Sequence, residues 1–517
     1  MTHHRSSLSR ALLLASVAIV AGCTVGPDFK QPDKPNEQGY TPESLVPQTT
    51  SASGVAAGEA QSFAPGRDIP GDWWTLFGSE ELTSLVREAL SSNPDLDAAQ
   101  ATLRQAHETL YAQQGSLFPS LSANGSGQNQ QTTGAALGES SIGQVQYGVV
   151  SASLAVAYSP DIFGGVRRQV ESQAAQVEVQ RFALEATYLT LSSNVVVAAV
   201  NLASLRGQID ATNAVIKLQT DAINLVQTQF NLGGASQADL LAQQANLRAT
   251  QATLPPLQKQ LAIQRNQLMT LLGKPPTFDA GQSLQLSSFR LPEDVPLSLP
   301  SQLVEQRPDV RSAEAQLHVA SANIGVAVAA ELPQFNITAG LGYTAAGLAS
   351  LVSPASLVWN LGLSLAQPLF NGGKLDHQRK AAVAAYDAAA AKYRSTVLSA
   401  FQDVANALRS IQADADLLKA AVAAEQTAAA SLNLVQQQYQ LGAVNYLNLL
   451  NAQTTYQNAI LSRVRAQAQR FSDTAAMIQA LGGGWWNRLD VRPESKGKPG
   501  VFNLPPVDQV HLPRAGH

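Results

Sequence analysis

Between residues 165 and 230 apolar positions recur every seven residues and no proline interrupts them. One seam runs through Val170, Val177, Leu184, Leu191, Ala198 and Leu205, and a second through Tyr188, Val195, Leu202, Ile209, Ile216, Ile223 and Phe230. Heptads sustained this long predict helices packed side by side in a supercoil. Roughly 65 residues at ~1.5 Å each reach about 100 Å, far beyond the thickness of a bilayer. Residues 374–440 match this run in length, with a seam through Val397, Val404, Ile411, Leu418, Leu432 and Tyr439. Each run stops at glycine, Gly233-Gly234 and Gly442, the residue that closes a helix in the left-handed conformation, so a returning helix is expected after each. Pro255-Pro256 should break the first return near Leu254, because proline removes a donor, whereas the second return through Leu449 to Leu481 has no such interruption.

Elsewhere the period changes to two. Phe335, Ile337, Ala339, Leu341 and Tyr343 alternate with Asn336, Thr338, Gly340 and Gly342, and Trp359, Leu361, Leu363 and Leu365 alternate with Asn360, Gly362 and Ser364. This alternation predicts strands with one apolar face. A weaker version spans Leu121 to Gly127 and Val145 to Tyr158, separated by a Gly/Ser/Gln-rich stretch that suits a hairpin loop. Each segment approaches the ~9 to 11 residues of a tilted transmembrane strand, although a soluble sheet would show the same pattern. Four strands cannot close a barrel, and open edges are not viable in lipid, so membrane hairpins would need other copies of the chain. Two copies would give about 8 strands and a filled interior; three would give about 12 and room for water. A plain coiled-coil rod would explain the heptads but not the hairpins beside them.

These elements occur twice. Pro94 and Pro119 correspond to Pro308 and Pro333, Pro160-Asp161-Ile162-Phe163-Gly164-Gly165 to Pro368-Leu369-Phe370-Asn371-Gly372-Gly373, Phe230-Asn231-Leu232-Gly233 to Tyr439-Gln440-Leu441-Gly442, and Leu271-Leu272-Gly273 to Ala480-Leu481-Gly482. The offsets are 214, 208, 209 and 209 residues, so the single change in length falls inside the hairpins. Repeat 1 is placed at 73–273, with its hairpin about 119–160, helices about 165–272 and tip at 231–236; repeat 2 at 291–484, with hairpin about 333–368, helices about 374–481 and tip at 440–445. The expected fold is mainly α with transmembrane β, an internally duplicated chain contributing four strands.

A 517-residue chain with 45% hydrophobic and 14% charged residues is long and apolar enough for a large folded structure. A net charge of -4 without basic clusters argues against nucleic-acid binding. One cysteine excludes an intrachain disulfide, and the seven histidines lack metal-ligand spacing. No GxSxG elbow, zinc motif, phosphate loop or paired-carboxylate arrangement stands in a plausible context, so the chain is not read as an enzyme and no cofactor is expected. Residues 1–22 have the layout of a signal peptide: Arg5 and Arg10, a short apolar run, then Val20-Ala21-Gly22 before Cys23. That ending resembles the bacterial lipobox, which implies acylation of Cys23, with several acyl chains anchoring where one would be marginal. Residues 23–72, rich in Pro, Gly, Ser and Thr, suit an extended tether from the lipid, and 485–517 a largely disordered tail.

As an ordered set, Cys23-Thr24-Val25-Gly26-Pro27-Asp28, Asp72-Trp73-Trp74, Asp161-Ile162-Phe163-Gly164-Gly165, Arg307-Pro308-Asp309-Val310, Pro368 to Gly373 and Leu481-Gly482-Gly483-Gly484-Trp485 resemble the outer-membrane efflux lipoproteins of the TolC/OprM (NodT-like) family over residues 20 to 487. The resemblance implies a homotrimer forming a 12-stranded β-barrel in outer-membrane lipid, continued by a 12-helix periplasmic α-barrel. It implies a periplasmic membrane-fusion adaptor protein and an inner-membrane resistance-nodulation-division pump as partners, and a passive exit duct for drugs and other small molecules as function. A type I protein-secretion duct would share the tunnel, and a trimeric surface adhesin would share the strands and coiled coil. Adaptor contact carries over to Leu232, Gly233, Ala235 and Ser236 and to Leu441, Gly442, Ala443 and Asn445, all of which simple turn chemistry would also explain. The family's periplasmic gate carries over to Leu447 for its leucine and Asn451 for its carboxylate, with Gln440 and Thr454 in the places of its arginines. The gate is therefore less charged here. Asp239 could supply a carboxylate ring at the first tip, or simply occupy a solvated helix face. The pairs Trp73-Trp74 and Trp485-Trp486 are expected to pack at the tunnel's midsection rather than bind ligand.

Overall fold

The computed structural model describes residues 24–37, 39–43, 46–133, 143–278 and 284–488. Residues 1–22, Cys23 and the tail after Arg488 lie outside the described residues. The chain runs β1 (Ser62–Pro65), α1 (Glu80–Ser92), α2 (Pro94–Gly115), β2 (Ser120–Thr133), β3 (Gln144–Tyr158), α3 (Gly165–Asn231), α4 (Gln237–Ala252), α5 (Leu254–Leu271), β4 (Asp294–Leu297), α6 (Pro300–Gln306), α7 (Pro308–Ala329), β5 (Gln334–Ala345), β6 (Leu357–Ala366), α8 (Lys374–Gln440) and α9 (Tyr446–Ala480).

The duplication is visible element by element. In each repeat a helix of 22 residues, α2 or α7, begins with proline at its first turn, where the missing N–H costs nothing. It feeds a β-hairpin, and the hairpin feeds a helix of 67 residues, α3 or α8. Both long helices start from a left-handed glycine, Gly164 at φ 79 and Gly373 at φ 83. The heptad seams are buried over much of their length, Val177, Leu191, Val195, Ala198 and Leu202 in α3 and Val404, Ile411, Leu418, Leu432 and Tyr439 in α8, whereas Ile209, Ile216 and Ile223 are half-buried and Phe230 is exposed. The first return is broken between Ala252 and Leu254, beside the proline pair, while α9 runs unbroken.

The hairpins join into one antiparallel sheet in the order β2-β3-β5-β6. Its register sets Leu121 opposite Val156, Leu154 opposite Leu341, Leu341 opposite Trp359 and Ile337 opposite Leu363. Because side chains alternate across a strand, these residues share one face. On β6 that face stands open, with Trp359, Leu361, Leu363 and Leu365 between 61% and 75% exposed. The opposite face carries Ser122, Asn124, Ser126, Ser151, Ser153, Thr338, Asn360 and Ser364, and Ser126 bonds Ser151 across the strands at 2.8 Å. The stretch Gln128 to Thr133 departs from the expected loop: it continues β2, paired with Gln144 to Val149. Every residue of β2 in this stretch is polar, so period two disappears from it although the ladder continues, supported by Gln130–Tyr147 and Gln131–Gln144 side-chain bonds.

Midway along the helices a core gathers Trp73, Trp74, Phe77, Leu82, Leu202, Leu408 and Phe471. Trp486 packs against it and donates to Asp68 Oδ1 at 2.9 Å, while the buried Trp485 meets Phe182 edge-on and donates its indole N–H to Gln306 O at 2.6 Å. Two boundaries are corrected here. The supposed tether at 23–72 is extended but not free: β1 pairs in parallel with β4, Ala52 and Ala57 are buried, and buried Arg470 donates to Ala57 O and to Gln61 Oε1. Its small residues let it lie close against the helices. The supposed tail starts with an ordered turn, Trp485–Asn487, followed by Arg488, which ion-pairs Glu185 at 2.6 Å.

Candidate functional site

At the far end of the helices each hairpin turns over in five or fewer residues. In the first turn Gly233 N–H donates to Phe230 O at 3.0 Å and Gly234 N–H to Gln229 O at 2.7 Å; in the second Gly442 donates to Tyr439 O at 3.0 Å and Ala443 to Gln438 O at 2.8 Å. These paired bonds satisfy carbonyls that the helix end would otherwise leave orphaned, and they need a left-handed residue, supplied by Gly233 at φ 77 and Gly442 at φ 71. No atom lies within 4 Å of a Cβ built on either glycine, so only backbone conformation selects glycine there. Ser236 and Asn445 cap the returning helices, accepting from Asp239 N at 3.1 Å and Asn448 N at 3.2 Å.

The turns present apolar side chains to solvent: Leu232 is 81% and Leu441 85% exposed. Ala443 and Asn445 are also exposed, while Ala235 is half-buried. Beneath them Val226, Leu240, Leu432, Tyr439, Tyr446 and Leu449 form a separate small core. Capping chemistry and local core thus give two compact turns, each with an exposed leucine.

Of the residues expected at a gate, Leu447, Asn451 and Thr454 lie on one exposed face of α9, spaced four and three residues apart, and Gln440 is exposed at the end of α8. The Thr454 hydroxyl is turned onto its own helix, donating to Leu450 O at 3.0 Å. Asp239 belongs to another element, the first turn of α4. Its carboxylate accepts from Ser236 N at 3.0 Å and from Ser236 Oγ at 2.7 Å, completing a capping box. That local duty is what the sequence could have shown, since Ser236 precedes an acidic residue by three.

Sequence reasoning missed a buried polar layer just behind this face of α9. Gln219 and Gln243 are fully buried and Gln453 almost so; Tyr446 Oη donates to Gln243 Oε1 at 2.6 Å, and Gln243 Nε2 to Gln219 O at 3.3 Å. Burial raises the Tyr446 hydroxyl above its ordinary range, so it acts as a neutral donor. Glutamines set among apolar heptad positions were the available signal. Among the described residues no group of three or more His, Cys, Asp or Glu is placed to hold a metal ion.

A sheet with an exposed apolar belt, continued by helices of about 100 Å that end in paired turns, defines a membrane exit channel. The family described as outer membrane efflux protein matches residues 85–274 and 299–483. The chain belongs to that family, as an outer-membrane component of efflux with a large periplasmic part. Among relatives, it is 32% identical over 446 residues to the pyoverdine export outer membrane protein OpmQ of Pseudomonas aeruginosa, covering 84% of this chain and 92% of that one. It is 28% identical over 486 residues to the probable efflux pump outer membrane protein TtgC of Pseudomonas putida, covering 93% and 97% respectively. Among solved structures, the outer-membrane channel OprN is 27% identical, with a TM-score of 0.79 over 90% of this chain and all of that one. The open state of the MtrE channel of Neisseria gonorrhoeae is 26% identical, with a TM-score of 0.76 over 90% of this chain and 99% of that one.

Proposed function

We propose that three copies of this chain close head to tail into a 12-stranded barrel continued by a 12-helix tunnel, the passive outer-membrane duct of a tripartite efflux pump. One observation carries the reading: the chain is an arc with two unsatisfied ends. Among the described residues, strands β2 and β6 each pair on one side only. Among the described residues, helix α3 packs extensively on both α2 and α7, whereas of those two helices α8 packs extensively on α7 alone. Joining β6 to β2 and α8 to α2 of the next copy would complete every ladder and leave the apolar belt facing lipid, the only closed solution for strands in a bilayer.

Within that duct, Cys23 carries the lipid anchor. The turns around Leu232, Gly233, Ala235 and Ser236 and around Leu441, Gly442, Ala443 and Asn445 receive a periplasmic adaptor coupled to an inner-membrane resistance-nodulation-division pump. Leu447 and Asn451, with Gln440 and Thr454 beside them, line the narrow periplasmic entrance. The family membership and the export functions named for its relatives support this reading. The test is the detergent-solubilised mass together with single-channel conductance in planar bilayers. A trimer with a small, discrete conductance, made cation-sensitive by Asn451→Asp, is expected; a non-conducting monomer would overturn the closure argument.

A further inference from the structure

The first described residues, Thr24 to Phe29, do not hang from the molecule. They cross the junction of β3 and α3 as a strap held at several points. Val25 N–H donates to Phe163 O at 3.1 Å. From the first turn of α3, Arg168 reaches the strap with Nε to Val25 O at 3.1 Å, Nη2 to Gly26 O at 3.3 Å and Nη2 to Asp28 Oδ1 at 2.8 Å, while Nη1 donates to Glu171 Oε2 at 2.7 Å. Glu171 Oε1 lies 2.9 Å from His318 Nε2, and the His318 ring stacks on Phe29 at 4.3 Å and 12°. The His318 hydrogen bond first, and then Arg168, hold the Glu171 carboxyl below its ordinary range against the effect of burial.

Close approach is built in from both sides. A Cβ on Gly26, at φ +89, would lie 2.4 Å from Gly325 Cα, and one on Gly164, at φ +79, would lie 2.8 Å from the Thr24 side chain. Arg168 is only 3% exposed. A guanidinium is buried at a cost that hydrogen-bonded partners must offset, and three of its four bonds here go to the strap. A loose tether would have no use for such a socket. At the corresponding position of the second repeat, 209 residues on, stands His377, which is exposed and makes no comparable seat.

We propose that Arg168 is a positioning residue for the membrane anchor: it seats Thr24 to Phe29 at the foot of the sheet and so fixes the level at which this segment meets the membrane. The proposal rests on the reading of Cys23 as acylated, but the seat itself does not require the lipid.

The test uses full-length protein in its membrane, with trypsin as probe, because Lys30 lies at the end of the seated segment. Arg168→Ala is expected to speed cleavage after Lys30 by at least about tenfold, since cleavage follows the population of the opened strap, while the tryptic map of the body stays unchanged. Gly26→Val, which leaves Arg168 in place and wedges the strap away from Gly325, should do the same and covers the case in which the arginine variant folds poorly. A fluorophore at Lys30→Cys should be quenched by brominated lipid at one depth in the parent and over a spread of depths in both variants. Radiolabelled palmitate should be retained throughout. Unchanged cleavage and unchanged depth in both variants would overturn the seat, and a parent that carries no palmitate would instead overturn the anchor reading on which it rests.

Discussion

The feet of the two long helices have the same length, the same glycine start and the same place in their repeats, yet their surroundings are opposite. In α3 burial begins at Arg168 and continues through Ser172, Ala175, Val177, Val179 and Phe182. In α8 the first buried residue is Tyr393, some five turns in. Sequence alone does not produce this contrast, since alanine and valine populate both. Its neighbours do: among the described residues α3 is enclosed by α2, α7 and the strap, whereas the foot of α8 is covered on the α7 side alone. On the proposed closure, the exposed foot of α8 and the unpaired edge of β6 would belong to one joint, filled by the next copy.

The strongest way to break that comparison is to spoil the open edge. Leu361→Arg places a cation on the apolar belt of β6, where a charge costs about 2 to 4 kcal/mol per chain at the middle of a membrane. Across three copies this should abolish heat-stable trimers on gels, with the helices still formed by circular dichroism. Ser364→Arg, on the opposite face of the same strand, should retain trimers and change only ion selectivity. Equal loss in both variants would mean that the face of β6 does not matter, and the lipid-facing assignment would be wrong.

The long helices, their turns and the alternating strands β5 and β6 were legible in sequence because each element's period survives in the monomer. Three features were not. Gln128 to Thr133 has no period because every residue in it is polar, and only strand pairing reveals it. The segment between Thr24 and Pro70 has the composition of a linker, but its glycines and alanines serve close packing, and the partners that give this away, Arg168 and Arg470, stand more than a hundred residues distant. At the tips, turn chemistry was readable and Asp239 was nearly so, whereas the glutamine layer behind them needs three helices in register before its burial appears.

A second contrast between the repeats is electrostatic. Asp414 on α8 and Asp473 on α9 face one another, and the corresponding positions of the first repeat, 209 residues earlier, hold Leu205 and Gln264. Burial first, and then the Asp473 carboxylate, push the Asp414 carboxyl up to about 7, with Arg470 opposing. Its Oδ2 has no hydrogen-bond partner among the described residues. The folded protein therefore holds a proton that the unfolded chain releases at ordinary carboxylate pH. This contribution is fully present below the unfolded value and is lost as pH rises toward about 7, above which the curve is flat. Asp414→Asn should remove the slope, raising the melting temperature more at pH 8 than at pH 5. Thermal scans of both proteins across that range decide it, and a slope that survives in the variant would assign the proton elsewhere.

The smallest effect is expected where the repeats differ most visibly. Pro255-Pro256 stands where the second repeat has Val464-Arg465, inside unbroken α9. Val464 is buried, lying 3.1 Å from a Cβ built on Gly207 of α3, and Arg465 donates to Gln208 Oε1 at 3.0 Å, so the second return is held straight against α3 at this level. In the first return the prolines fall in the opening turn of α5, where no intrahelical donor is lost. Their fixed φ mainly limits the unfolded chain, so replacing each by alanine should cost no more than about 0.4 to 1 kcal/mol. Urea midpoints should accordingly shift slightly, with trimer yield and drug resistance unchanged. A marked loss of resistance in the double alanine variant, at unaltered stability, would show instead that the break in the first return shapes the tunnel, and the two returns would then differ in function as well as in form.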